Sequence, residues 1–318
     1  MLKTDVLAIC LADVHLSHNA PAARQTEEDW YGVQRNYLQQ LLAIQKQFQA
    51  PVVIAGDVMH KWNAPAELIS LAIKWLPECY AVPGQHDLPW HEYDNLKRSA
   101  FYTLMEAGKI KLLEPSKPIE VGEGNYVVRL HGFPYGFPVK PCKDPMDMLV
   151  ELAVVHDYIW VGDHSYPGAP EDKNTKAYRS RLRGYDAAIF GDNHKGFLSG
   201  KTDKQGHRLE ILNAGTFMRR NTDERNYQPV VGLLQRDGTF VRHKLDVSRD
   251  TFTDEKELAK TLVATGNLEE LMERLVALRD AATDFEGTLR TCVNQPDVPA
   301  EVRRWVLKAL EGGKGNVS

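Results

Sequence analysis

Short continuous apolar runs that end in polar turns recur along the first two-thirds of the chain. Val6 to Leu11, "VLAICL", leads into Asp13. "APVVIAGD" ends in Asp57, and "CYAVPGQHD" ends in Gln85, His86 and Asp87. Runs this short, without polar alternation, predict strands buried on both faces. Segments of helical spacing lie between them. Residues 27–48 place Tyr37, Leu38, Leu41, Leu42 and Ile44 on or near one face, and "PAELISLAIKWL" predicts a helix begun by a proline. Strands alternating with helices predict βαβ units, a largely parallel sheet and an α/β fold.

The middle of the chain is richer in strand patterns. "NYVVRLHGF", "ELAVVHDYIW", "DAAIFGDNH" and "HRLEILNAGTF" each read as strands, and "TKAYRSRLRGY" reads as a basic helical piece. "PVVGLLQRDGTFVRHKLDV" predicts a hairpin about Asp237-Gly238. Beyond about Thr253 the pattern changes. Leu268, Leu271, Met272, Leu275 and Val276 fall at helical spacing, and after "NQPDVP" so do Val302, Trp305, Val306, Ala309 and Leu310. Residues 1–250 are therefore read as the main domain and 251–318 as a small helical appendage. An appendage this short buries two helices poorly alone, which points to a docking role for them.

Composition adds little constraint. The 318 residues are 43% hydrophobic and 26% charged, with a net charge of −4, as expected of a globular protein. That balance advertises no membrane or nucleic-acid partner, although a local basic groove is invisible in a sum. Cys10, Cys79, Cys142 and Cys292 form no CxxC pair and read as reduced thiols of a cytoplasmic protein. No apolar run reaches the ~18 residues of a membrane span, so no membrane partner is expected.

The strand ends share a chemistry. "LADVH" carries Asp13 and His15, "IAGDV" Asp57, "VPGQHD" Gln85, His86 and Asp87, and "FGDNH" Asp192 and His194. His156 closes another apolar run, "AVVH". Loops at the carboxyl ends of strands in α/β sheets converge on one crevice. Carboxylates and imidazoles in these numbers suit two divalent cations of the Mn, Fe or Zn type. Such a pair clamps a phosphoryl group, so phosphoester hydrolysis is the chemistry expected. Singly, each residue has a plainer reading: a turn carboxylate for Asp13 or Asp57, a core histidine for His156, a surface turn for His86 and Asp87. Their occurrence together and in order favours the site.

That order, DxH, GD, GxHD, H, GxxH, resembles the calcineurin-like metallophosphoesterases, whose pattern is DxH…GD…GNHD/E…H…GHxH. The resemblance runs from about Val6 to Met218. "GDVMHKWNAPAELISLAI" is similar to the "GDLFHxxxPS" passage of SbcD-type nucleases, subunits of double-strand-break repair complexes, and "LNAGTFMR" resembles their "xxGSxxR" strand end. The resemblance implies a sandwich of two mixed β-sheets flanked by helices. It implies that Asp13, His15 and His194 hold one metal, that Asp57 bridges, and that Gln85 and His156 serve the second. His86 would be the catalytic histidine, oriented by Asp87. Mn²⁺ is the first expectation, with Mg²⁺, Fe²⁺ or Zn²⁺ as alternatives. DNA would be the substrate and an SbcC-type coiled-coil ATPase the partner of a homodimer, docked or capped through the appendage. Such economy suits a phage or mobile-element version.

Two positions depart from the pattern. Gln85 replaces Asn, and Asp192 stands where a histidine would bind the second metal. Aspartate is a harder, charged donor that favours Mn²⁺ or Mg²⁺. His60, Arg219 and Arg220 are expected near the substrate phosphate. His131 is expected to be structural, Asp163 and His164 to lie in a loop, and Phe133, Tyr135 and Phe137 either to stack on bases or to pack on the domain. Two other functions stay open. One is hydrolysis of a small phosphodiester or a phosphoprotein; the other is a non-catalytic scaffold with a degenerate metal site, suggested by Gln85 and Asp192.

Overall fold

The computed structural model describes residues 5–124, 126–146, 149–162, 169–202, 206–253 and 303–304. Of the two helices expected within 251–318 only Arg303 and Arg304 of the second are described, and both are helical; the rest lies outside these residues, as do Asp163, His164 and Cys292. The chain divides into two compact units, residues 1–161 with 172–258, and residues 162–171 with 259–318. The first unit carries the elements below.

Two six-stranded sheets form its framework. In the first, β1 (Val6–Leu11), β2 (Val52–Ala55), β3 (Cys79–Val82) and β4 (Ile110–Leu112) run parallel, and β11 (Val230–Gln235) and β12 (Phe240–Lys244) add an antiparallel edge beside β1. In the second, β6 (Tyr126–Phe133), β7 (Val150–His156), β8 (Ala187–Gly191) and β10 (Arg208–Asn213) are parallel. The strands β5 (Ile119–Glu123) and β9 (Phe197–Thr202) close its two edges antiparallel. Both sheets are thus mixed, as the resemblance implies and not as strand-helix alternation alone would give.

The apolar runs are explained by what lies between and outside the sheets. Leu7, Cys10, Val53, Ala55 and Val82 from the first sheet pack with Val128, Leu130, Val154, Ile189 and Leu212 from the second. Their alternate neighbours, Ile9, Leu11, Val52 and Ile54, face outward onto α1 (Trp30–Phe48), α2 (Ala66–Trp75) and α3 (Ala100–Glu106). A strand covered on both faces has no polar position, and each buried Val, Leu or Ile contributes about 1.5–3 kcal/mol. The first helix starts three residues later than residues 27–48 suggest, because the Asp29 side chain accepts a hydrogen bond from Gly32 N and caps it. "TKAYRSRLRGY" is helical only over α4 (Thr175–Tyr178). Arg179 there binds Ser199 and the Leu209 carbonyl, and Arg181 pairs with Asp172.

Phe133, Tyr135 and Phe137 take the packing alternative: their rings meet Tyr185, His91 and Tyr93. His131 is structural, bonded to buried Glu151 at 2.7 Å. Cys10, Cys79 and Cys142 are free thiols. No helix among the described residues is long and apolar enough to cross a membrane.

Candidate metal centre

Strands β1, β2, β3, β7 and β8 all run parallel to a neighbour, and the residues that follow or end them are those singled out by their chemistry. Asp13 and His15 follow β1, Asp57 follows β2, and Gln85 and His86 follow β3, while His156 ends β7 and Asp192 and His194 follow β8. Asp13, His15, Asp57 and Asp192 all have left-handed backbones, with φ of 52°, 49°, 52° and 84°. Non-glycine residues in that region carry strain, which concentrates where a side chain must be aimed. Two glycines make the convergence possible. A Cβ on Gly56, itself at φ +83°, would stand 2.0 Å from His156 Nδ1, and one on Gly84 would stand 2.1 Å from Asp57 Oδ1.

Asp57 lies at the middle. Its Oδ1 accepts a hydrogen bond from His86 N at 3.0 Å. Its Oδ2 is buried without a hydrogen bond, 3.5 Å from His15 Nε2 on one side and 3.5 Å from His156 Nε2 on the other. Donor atoms of Asp13, His15 and His194 lie within 4.8 Å of one another, as do those of Asp13, Asp57 and His156. The His15 and His194 Nε2 atoms face each other at 3.2 Å. His156 donates from Nδ1 to the Ala55 carbonyl at 2.7 Å, which turns Nε2 toward the centre, where Gln85 Oε1 stands 2.6 Å away. Gln85 Nε2 donates to Asp192 Oδ1 at 2.6 Å, so both departures from the family pattern join the second half of the cluster.

The electrostatics call for positive charge. Burial pushes the Asp13 carboxyl up to about 7, against the pull of His194 and His156. Burial and the Asp57 charge also raise Asp192, opposed by His156. Burial opposes ionisation of Asp57 as well, but the nearby His156 and His86 rings and the hydrogen bond from His86 N hold it down to about 2. An unpartnered buried carboxylate oxygen between ring nitrogens, with more buried carboxyls beside it, is a donor set that divalent cations satisfy. Asp13, His15 and His194 form one donor group that would hold such an ion, and Asp13, Asp57 and His156 form a second beside it, with Gln85 linking His156 to Asp192.

His86 stands at the rim, its side chain 32% exposed, with Nε2 4.0 Å from Asp57 Oδ2. Its Nδ1 donates to the His60 carbonyl at 3.0 Å, and the two rings stack at 5.4 Å. The expectation that Asp87 orients this ring is corrected. Asp87 Oδ1 accepts from Met59 N, and Oδ2 accepts from Val58 N and Gly84 N. It therefore ties the two loops together through their backbones, and the His60 carbonyl orients His86.

Arg219 and Arg220 are not offered to a substrate phosphate. Arg219 donates to Asp250 Oδ2 and to the Arg225 and Val247 carbonyls, while buried Arg220 donates to the His15 carbonyl and Ser17 Oγ. A guanidinium with its donors spent inside the fold has little left for a ligand.

Sequence reasoning missed Glu224. Its Oε1 lies 3.4 Å from His194 Nδ1, and its Oε2 accepts from Arg220 N and Asn221 N. A carboxylate behind a ligating histidine fixes its ring and raises its basicity. The Asn221-x-x-Glu224 spacing signals a capping box, but nothing in it points to His194. Asn193 also has a role: it donates to the Ile159 carbonyl, accepts from Lys195 N, and its own carbonyl accepts from Asn213. It thereby holds the loop between Asp192 and His194.

No curated protein matches the sequence. Among solved structures, the NAD nucleotidase NadN of Haemophilus influenzae is similar at 12% identity and a TM-score of 0.44, over 80% of this chain and 54% of that one. A 5'-nucleotidase precursor from Thermus thermophilus is similar at 14% identity and a TM-score of 0.42, over 81% of this chain and 57% of that one. The chain thus covers little more than half the length of either. The model of the calcineurin-like phosphoesterases matches residues 8–196, which takes in every proposed ligand, and the chain belongs to that family.

Proposed function

We propose that this metallophosphoesterase is a phosphodiesterase that cleaves DNA, in the manner of SbcD-type nucleases. The observation that supports this reading is the pairing of His60 with His86. His60 belongs to the "GDVMHKWNAP" passage that resembles those nucleases, and that passage supplies the carbonyl that sets the ring of His86.

Two divalent cations, Mn²⁺ first, would supply charge to polarise the phosphoryl group and lower the pKa of water. The chain's own residues do the rest. With Nδ1 committed to the His60 carbonyl, His86 has Nε2 available to hold a proton for the departing 3′ oxygen. Asp57 Oδ1 is anchored on the backbone of the same residue, so the rim histidine and the central carboxylate keep a fixed relation. Asp87 locks the loop after β2 to the loop after β3, which keeps both in register with the reacting phosphate. A homodimer working beside an SbcC-type coiled-coil ATPase completes the proposal.

The test is a substrate panel with Mn²⁺: linear duplex, single-stranded DNA, a small phosphodiester and a 5'-nucleotide monoester. Cleavage of DNA is expected. Hydrolysis of the small ester or the monoester with no action on either DNA would replace the nuclease reading with a small-molecule one.

A further inference from the structure

Trp90 is 61% exposed, and its backbone is left-handed at φ 54°, followed by His91 at φ 62°. Two successive bulky residues in that region are rare and strained, and they persist only where surrounding contacts impose them. Here the contacts are evident. The turn is closed by hydrogen bonds from Leu88 N to Gln85 O, His91 N to Leu88 O and Glu92 N to Pro89 O. The Trp90 ring leans on Trp62, with centroids 5.6 Å apart and planes tilted by 42°, and the Arg98 guanidinium lies 5.3 Å from its centroid. The fold thus fixes a large aromatic in place yet leaves most of it open to solvent.

The loops that carry this pair are those of the metal centre. Trp62 is two residues beyond His60, and Trp90 four beyond His86. Four residues span at most about 14 Å, so the ring lies within one or two nucleotides' reach of His86. Lys61, Lys97 and Arg98 are exposed on the same segments. A fixed aromatic with cations beside it, next to a phosphate-processing centre, has the makings of a nucleobase platform: every base presents a π-face, and the cations meet the backbone.

We propose that Trp90 stacks on a nucleobase flanking the scissile phosphate, a role that rests on the nucleic-acid reading above. The test is fluorescence anisotropy with full-length His86→Ala protein, which leaves the strand uncut. The probes are a labelled oligothymidylate and an abasic strand of equal length. Adding Trp90→Ala is expected to weaken oligothymidylate binding about 5- to 100-fold. Trp90→Phe should retain most of the affinity, and the abasic strand should bind equally weakly with or without the tryptophan. Unchanged oligothymidylate affinity overturns the proposal, and so does an equal loss on the abasic strand. Sedimentation of the same variants covers the competing case: loss of a dimer with intact DNA binding would assign the ring to a protein contact. DNA cleavage without any Trp90 dependence sinks the stacking role alone. Trp90-dependent binding by a protein that hydrolyses no DNA sinks the nuclease reading alone.

Discussion

Asp57 Oδ2 stands 3.5 Å from His156 Nε2 and accepts no hydrogen bond, although both residues are buried. The proposed bridging role of Asp57 rests on this oxygen and leads to the first prediction. Asp57→Asn keeps the shape and the oxygen but removes the charge that two cations would share. It is expected to bind fewer than two Mn²⁺ per chain by native mass spectrometry, and to lose about 100-fold or more in phosphodiester hydrolysis, as several kcal/mol of charge stabilisation implies. Full occupancy in the variant would remove Asp57 from the bridging position.

Glu224 acts on the centre through His194, so its loss should register as affinity. Glu224→Gln is expected to weaken Mn²⁺ binding about 10- to 100-fold by titration calorimetry. The capping box at Asn221 keeps one carbonyl oxygen to accept its hydrogen bonds, so the fold should survive. An unchanged affinity with a large fall in melting temperature would reduce Glu224 to a structural cap.

Asp250 is the anchor that takes Arg219 away from the substrate. Its Oδ1 accepts from Arg24, and its Oδ2 accepts from Arg219 and from the Tyr37 hydroxyl. Asp250→Ala would leave the fully buried Arg24 with Glu27 as its remaining carboxylate partner and would strip the Arg219 Nε and the Tyr37 hydroxyl of theirs, a loss expected to cost about 1–3 kcal/mol. Urea denaturation measures it; a cost below about 1 kcal/mol would mean that the cluster contributes little.

A pH dependence should arise away from the metal centre. Burial opposes ionisation of Glu151, yet hydrogen bonds from His131, Arg129 and Met146 N outweigh it and hold the carboxyl down to about 2. A depressed carboxylate stabilises the folded state above its ordinary value near 4.5, and that stability is lost as pH falls from there through about 2. Glu151→Gln should therefore be less stable than the parent at about pH 6, with the gap closing toward about pH 2. A constant gap in chemical denaturation across that range would contradict the linkage.

The sequence disclosed the centre more fully than the residues that support it, for a physical reason. Asp13, Asp57, His86 and His194 each follow an unbroken apolar run, and parallel strands send such ends to one side. His156 ends its run as a fully buried residue, the setting of an ordinary core histidine, and only the order of the motifs marks it as a candidate ligand. Asp87, Arg219 and Arg220 have the right chemistry in the right places, but their partners are backbone groups and Asp250, brought near by loop packing that no local spacing encodes. Glu224 and His194 meet for the same reason. The apolar runs likewise announced buried strands. They could not say that β11 would lie antiparallel beside β1, because a strand covered on both faces shows no register in its own pattern.

The most direct measurement pairs metal content with hydrolysis in the parent protein and in His86→Ala. The parent should hold two Mn²⁺ and degrade linear DNA. His86→Ala should hold the same two ions and lose about 100-fold or more of that activity, the usual contribution of a positioned acid. Digestion that survives the substitution, or a metal-loaded parent that hydrolyses no phosphodiester, would contradict the account.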